Sequence, residues 1–397
     1  MENPPAMAPP TRAQIRRRRA VAILVAALAT VAIWAALLRG DTDRGRSEND
    51  SAAGASDRVQ ALVARMSPAQ RVDQILLLGF AGTDQTSPVF AELQAHELGG
   101  LVIGADNWVD SAQGRQLIAE LRATGLEGSR VPPLIATQQE GGQFRSLEDL
   151  PPTASELQIG NRGSPQLTES WARTAAAALR AVGVDLNLFP VADVASSTSP
   201  LAERSFSDDP PTAAAMTAAA MRGCHNAGLA CAPLHFPGLG AASQDTDAGP
   251  ATVSLDAGSL ADRDLAAFDA AFDGRAPAVV LSLAFYAAYD PVTPAALAPE
   301  VVTGLLRDQL GYEGAAITDD LGAGAIKATY RIPDAAVAAV AAGADMIQID
   351  SPRDQAGVRE ALLEAAGSGQ IPETRLEEAA GRVLELKRRL GLLERSH

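Results

Sequence analysis

The chain has 397 residues, 47% of them apolar and 4% aromatic, with a formal net charge of −15. That length and apolar content allow a single α/β barrel domain of roughly 250 residues or more, and an acidic body with no basic patch argues against nucleic acid as a partner. Two cysteines, four histidines and the absence of CxxC, HExxH, GxxxxGK and GxSxG argue against zinc, nucleotide and serine-hydrolase chemistry and call for no cofactor, leaving only a carboxylate-only metal site open.

The first 19 residues hold five Arg and one Glu, a charge of +4 that leaves −19 for the remainder. Residues 20–38 are nineteen in a row without a charge. That is about enough to cross a bilayer as a helix, and the cluster Arg16-Arg17-Arg18-Arg19 before it predicts a cytoplasmic N-terminus. The expectation is a single-pass signal anchor in the cell membrane with the body extracytoplasmic. A long signal-peptide core is the alternative, but no small-x-small cleavage site follows. Residues 39–57, rich in Asp, Ser, Gly and Arg, read as a flexible linker, and residues 58–395 as one barrel domain.

Within that domain, helical patterns alternate with short apolar runs. A helix over 59–66 breaks at Ser67-Pro68 and a second over 69–76 follows. Apolar runs at 77–80, 100–104, 133–136, 184–189, 229–235, 278–282, 315–318 and 344–349 are bounded by Gly, Pro or polar residues. Helix-length segments at 110–122, 169–181, 211–227, 262–271, 301–310 and 333–342 separate most of them. Strands alternating with helices imply a parallel sheet. Eight such units in roughly 300 residues predict a (β/α)8 TIM-like barrel preceded by the N-terminal transmembrane helix. An open doubly wound sheet is the runner-up, disfavoured by the lack of a Gly-rich first turn. Residues 374–393 close the domain as an amphipathic helix, with Leu376, Ala379, Val383, Leu386 and Leu390 on one face.

Polar residues gather just past the apolar runs: Gln138, Glu140 and Arg145, then Asp193, Arg204, His235, Asp245 with Asp247, and Asp319 with Asp320. In a barrel such strand ends converge on one mouth. Carboxylates, arginines and one His without metal ligands suit a polyhydroxylated ligand, and two carboxyl groups flanking a scissile bond can hydrolyse a glycoside. The stretches His235-Phe236-Pro237-Gly238, Ile317-Thr318-Asp319-Asp320-Leu321, Gln139-Glu140-Gly141-Gly142, Asp185 to Asp193 and Arg204-Ser205-Phe206 resemble glycoside hydrolase family three, in its single-barrel β-N-acetylhexosaminidase branch. The likeness runs from about Met66 to Leu393.

The resemblance implies a carbohydrate substrate and the removal of terminal β-linked sugars, with N-acetylglucosamine from cell-wall fragments the first guess. It makes Asp319 the nucleophile of a retaining reaction. It places Gln138, Arg145, Arg204 and His235 at or next to positions that bind sugar hydroxyls, with Asp320 a structural neighbour. Several positions depart from the family pattern. Gln138 stands where Asp is usual, Leu234 where Lys is usual and Leu239 where His is frequent, and Arg145 comes one residue early. The branch carries an Asp-x-His acid/base dyad; Asp245 matches its Asp, but Asp247 occupies the His position. Three readings follow: Asp247 replaces the imidazole as acid/base, the protein is a catalytically impaired sugar-binding or scaffold protein at the cell surface, or another chain or mobile loop supplies the acid. Asp245 and Asp247 could also serve only their own turn. Asp185 and Asp193 read as structural, Glu140 as a support for its glycine turn. Cys224 and Cys231 fit either a disulfide or two buried thiols.

Overall fold

A computed structural model describes residues 57–128 and 131–393. The basic N-terminus, the expected anchor at 20–38 and all but the last residue of the expected linker lie outside the described residues. The chain divides into two units, residues 1–61 and 62–397, and every element named below belongs to the second.

The chain begins this unit with helix α1 (Pro68–Gln74), started by a reciprocal cap between Ser67 and Gln70 and by Pro68 in its first turn. Strand β1 (Leu76–Gly79), helix α2 (Val89–Ala95), β2 (Gly100–Val102), α3 (Ser111–Gly128) and β3 (Leu134–Thr137) follow. Then come α4 (Pro165–Val182), β4 (Leu186–Val191), α5 (Pro210–Ala227), β5 (Ala230–Leu234), α6 (Ala266–Asp273), β6 (Ala278–Leu281) and β7 (Ala315–Thr318). Helix α7 (Ile332–Ala342), β8 (Ile347–Ile349), α8 (Pro352–Ser368) and α9 (Glu373–Arg389) complete it. The helix expected at 301–310 is a π-helix, Glu300–Gln309.

The sequence expectation needs correction on two counts. Among the described residues no helix is long and apolar enough to cross a membrane. The strands also do not form one continuous eight-stranded ring. Six pair in parallel in the order β8-β1-β2-β3-β4-β5, a half-barrel, while β6 and β7 form a separate parallel pair. Among the described residues the two sets are joined by isolated bridges, Phe236 to Leu281 and Ile317 to Met346, and a few backbone hydrogen bonds around them in place of continuous ladders. Both seams have a local cause. Next to β5, Pro233 and Pro237 offer no backbone N–H to a neighbouring strand. Beside β7, Asp345 and Met346 both donate to the carbonyl of Ala316, a bulge that interrupts the ladder. The arrangement is TIM-like in its alternation and in its strand direction.

Side chains alternate across this curved sheet. Leu77, Leu134, Ala136, Leu186, Ala278 and Met346 pack inward with Val383, Leu386 and Leu392 from the closing helix region. Leu76, Leu78, Ile135, Ile347 and Ile349 pack outward among the helices. Cys224 near the end of α5 and Cys231 in β5 are joined as a disulfide, with Cα atoms 6.2 Å apart.

Candidate active site

The C-terminal ends of β3, β4, β5 and β7 deliver polar side chains to one place. After β3 the chain turns back as a short hairpin, Gln139–Gly141 against Phe144–Arg145. The turn needs glycine: Gly141 has φ 119°, and a Cβ there would lie 2.3 Å from the carbonyl oxygen of Ala154. The hairpin buries Glu140, which Arg204 grips at both oxygens, Nε to Oε2 at 2.9 Å and Nη2 to Oε1 at 2.7 Å. Gln138 donates through Nε2 to Glu140 Oε1 at 2.7 Å and so bears on the same pair. Arg145 is placed elsewhere. Its guanidinium donates to the carbonyls of Gly142 at 2.7 Å and Glu148 at 2.8 Å, which ties the hairpin down.

Arg204 links the pieces. Beyond Glu140, its Nη1 lies 3.6 Å from Asp245 Oδ2 and its Nη2 lies 3.5 Å from His235 Nε2. Burial opposes its charge, but Glu140, then Asp245 and Asp319, raise its proton affinity, so it stays a cation. His235 follows β5 and is oriented by Asp193, whose Oδ2 lies 2.8 Å from His235 Nδ1. Asp193 Oδ1 also accepts the backbone N–H groups of His235 at 3.3 Å and Leu239 at 2.6 Å. The proton on Nδ1 therefore faces Asp193, and Nε2 points to the site, 3.7 Å from Asp319 Oδ2. Burial alone would lower the His235 pKa; Asp193 outweighs it, Asp319 adds to the effect, and the net shift is upward.

Asp319 sits where β7 ends. Its Oδ1 accepts the N–H of Asp320 at 3.0 Å, and its side chain is 18% exposed. Burial, joined by the nearby charge of Asp247, pushes its pKa from 3.8 to about 6, against the pull of His235 and Arg204. Asp320 turns away to accept the N–H of Gly322 at 2.9 Å and that of Asp350 at 3.0 Å, lacing this turn to the end of β8.

The loop after His235-Phe236-Pro237-Gly238 brings Asp245 and Asp247 to the same mouth. Asp245 Oδ1 accepts the N–H of Asp247 at 3.0 Å, an Asx turn. The carbonyls of Thr246 and Asp247 accept N–H groups from Ala325 at 2.9 Å and Gly324 at 3.2 Å, so the loop is pinned to the segment just past Asp320. Asp247 is solvent-exposed on one side. Partial burial on the other, then Asp245, raise its pKa, with Asp320 adding and Arg204 and His235 opposing.

Asp319, Asp247, Asp245, Arg204 and His235 thus lie in one electrostatically coupled cluster, Gln138 joins it through Glu140, and Arg145 does not. Sequence reasoning missed two features. Glu156, in the short helix Glu156–Gly160, is buried under the cluster: Oε1 accepts the N–H of Val191 at 3.0 Å and Oε2 has no partner. Burial, then Glu140, raises its pKa well above the ordinary carboxylate range. Its sequence signal, an acidic residue just after an N-cap serine, reads as a surface helix start. The second is the pair Gln348 and Asp350 at the end of β8, with Gln348 Nε2 donating to Asp350 Oδ1 at 3.0 Å. Only its place at a strand end could have marked it.

The sequence model of the glycosyl hydrolase family 3 N-terminal domain matches residues 69–386. The chain is 31% identical over 329 residues to a β-hexosaminidase of Stenotrophomonas maltophilia (strain R551-3), covering 81% of this chain and 91% of that one. Among solved structures, it is similar to a glycoside hydrolase family 3 β-N-acetylglucosaminidase from Paenibacillus sp., with a TM-score of 0.79 and 32% identity over 82% of this chain. The likeness spans 63% of that longer protein. It is also similar to a β-N-acetylhexosaminidase from Beutenbergia cavernae, with a TM-score of 0.71 and 31% identity, covering 82% of this chain and 99% of that one.

Proposed function

We propose, for a chain that belongs to glycosyl hydrolase family 3 and is a glycosyl hydrolase, that it removes terminal β-linked hexosamine residues with retention of anomeric configuration. The reading is supported by the relatives, which carry the names β-hexosaminidase and β-N-acetylhexosaminidase. The observation that carries it is Asp319: a strand-end carboxyl, held by one backbone N–H, facing His235 Nε2 and coupled to a second carboxyl, Asp247.

In the first step the ionised Asp319 carboxylate attacks C1 and forms a glycosyl ester, while Asp247, protonated, gives its proton to the departing oxygen. In the second, Asp247 takes a proton from water, the water oxygen attacks C1, and Asp319 leaves as carboxylate. A pair that carries one proton between two carboxyl groups can start this cycle with either protonation assignment settled by the substrate. Arg204 and His235, fixed by Glu140 and Asp193, would donate to sugar hydroxyls. The disulfide between Cys224 and Cys231 supports work in an oxidising compartment.

The test is a panel of aryl β-glycosides given to the full chain, Asp319→Asn and Asp247→Asn. The reading expects loss with both, about 10²–10⁴-fold for Asp247→Asn on poor leaving groups and much less on good ones, since only poor ones need the proton. An Asp247→Asn enzyme as active as the parent on every leaving group would remove Asp247 from the mechanism.

A further inference from the structure

Asp319 and Asp247 reach the site on different segments, and one turn joins the two. From Asp319 the chain runs to Gly324 through a turn tied at several residues. The N–H of Asp319 donates to the carbonyl of Leu281 at 3.1 Å, that of Leu321 to Gln348 at 3.1 Å and that of Ala323 to Asp320 at 2.9 Å. The turn ends in the short helix Gly324–Lys327. The first N–H groups of a helix have no partner inside it. Here those of Gly324 and Ala325 are taken by the carbonyls of Asp247 at 3.2 Å and Thr246 at 2.9 Å. The loop tip otherwise bonds to itself, the carbonyl of Asp245 accepting the N–H groups of Ala248 at 3.1 Å and Gly249 at 3.3 Å. A second tie to the barrel is the looser ion pair of Asp245 with Arg204 at 3.6 Å. Gly324 is what lets turn and loop approach. A Cβ on it would lie 2.7 Å from the carbonyl oxygen of Asp247 and 2.8 Å from the carbonyl carbon of Ala248. Both are backbone atoms, which cannot rotate aside as a side-chain end can. Gly324 is not among the glycines with positive φ, so the contact requires glycine and its own conformation does not.

We propose that Gly324 is a positioning residue for the hydrolysis: it lets the turn that follows the nucleophile seat the loop, so that Asp247 stands in place relative to Asp319 before substrate arrives. The inference rests on the reading of Asp247 as acid/base. The seat holds the carbonyl of Asp247 itself, so a displacement there moves the residue that carries the carboxyl. An alanine at 324 must open the contact from 2.7 Å to the 3.4 Å of an ordinary one, about 0.7 Å. Proton transfer needs hydrogen-bond reach and alignment, and a misplacement of about 1 Å can cost about 10²-fold. Asp319 stays on its own strand end, held by the N–H of Asp320. The change therefore weakens proton delivery more than attack on C1. A leaving group that departs as a stable anion, such as 2,4-dinitrophenolate, does not need the proton; phenolate does.

The experiment measures kcat/KM for 2,4-dinitrophenyl and phenyl β-N-acetylglucosaminides with the full chain, Gly324→Ala, Asp247→Asn and the double variant. The ratio of the first substrate to the second should rise about 10-fold in Gly324→Ala and further in Asp247→Asn. Adding Gly324→Ala to Asp247→Asn should leave the ratio where Asp247→Asn put it, because the glycine acts through that carboxyl. Each ratio is taken within one preparation, so partial misfolding does not move it. A ratio that Gly324→Ala leaves unchanged while Asp247→Asn raises it overturns the proposal and leaves the hydrolase reading standing. So does a Gly324→Ala effect that persists in full without the Asp247 carboxyl. A ratio that Asp247→Asn does not move removes the acid/base reading itself, and the proposal falls with it. If Gly324→Ala yields no folded protein, amide hydrogen exchange of the parent decides. The N–H groups of Gly324 and Ala325 should be protected without substrate, and exchange at the rate of an open loop overturns the proposal.

Discussion

Replacing Asp319 by Asn should destroy hydrolysis and, above about pH 6, make the protein more stable. The side chain is 18% exposed, and burial holds its carboxyl at about 6 instead of 3.8. Below the lower value both the folded and the unfolded chain keep the proton, and there is no penalty. Between 3.8 and about 6 the unfolded chain ionises first. Stability contributed by the neutral acid is therefore lost as pH rises through this window and is gone above it. At about 1.4 kcal/mol for each tenfold change in proton affinity, the full penalty is about 3 kcal/mol. Asn keeps the oxygen that accepts the Asp320 N–H and never ionises. In a domain of this size the gain is a rise in Tm of about 4 °C. The assay is urea or thermal unfolding of both proteins from about pH 4 to pH 8. The stability difference should be small at the acid end, grow through pH 5 and flatten above pH 6. A difference that is flat across the range, or a variant no more stable than the parent at the alkaline end, would refute burial as the cause of the shift.

Two more tests probe the supports of the site. Glu140→Gln leaves Arg204 buried with one of its two oxygen partners changed to an amide, and should lower unfolding stability by about 3 kcal/mol and move the urea midpoint with it; a change under about 1 kcal/mol would mean that Asp245 takes over the pairing. Reducing the Cys224–Cys231 disulfide, whose cysteines are seven residues apart, should lower stability by about 2.5 kcal/mol by the loop-closure argument, and an unfolding midpoint indifferent to reductant would count against that figure.

Much of the fold was readable because its signals are local. The break at Ser67-Pro68 is a helix cap, and the structure places one there. Short apolar runs bounded by Gly and Pro mark strands buried on both faces, and each of the eight runs overlaps a strand of the half-barrel or of the parallel pair, displaced by one or two residues at 77–80, 133–136 and 184–189. Family membership followed from motifs at those strand ends. What the sequence did not show is how strands close on one another. Continuity of a sheet depends on pairing between strands distant in sequence. A pair of prolines around His235 and a doubled acceptor at Ala316 are enough to replace a ladder with single bridges. The predicted anchor rested on a different kind of signal, length and lack of charge in residues 20–38, and no described helix repeats it.

The site divides along the same line. Asp319 and His235 were legible because each stands at the end of an apolar run, where a polar residue has little structural reason to be; Arg204 and the Asp245/Asp247 loop, farther past their strands, were legible through the family motifs they belong to. Glu156 and Asp350 were not, because what makes them unusual is their surroundings. Glu156 becomes a buried carboxyl with a raised pKa only when β4 and the hairpin close over it. Asp350 becomes one of a group of unpaired carboxylates only when β7 and β8 end side by side. The same logic bears on the missing imidazole. Asp247 could be read as a substitution at a known position, but its chemistry is set by neighbours. An imidazole there would add positive charge as it takes up a proton and lower the proton affinity of Asp319. A carboxylate does the opposite and couples the two protons. Exchange of His for Asp at this one position therefore changes two groups, the acid and the nucleophile.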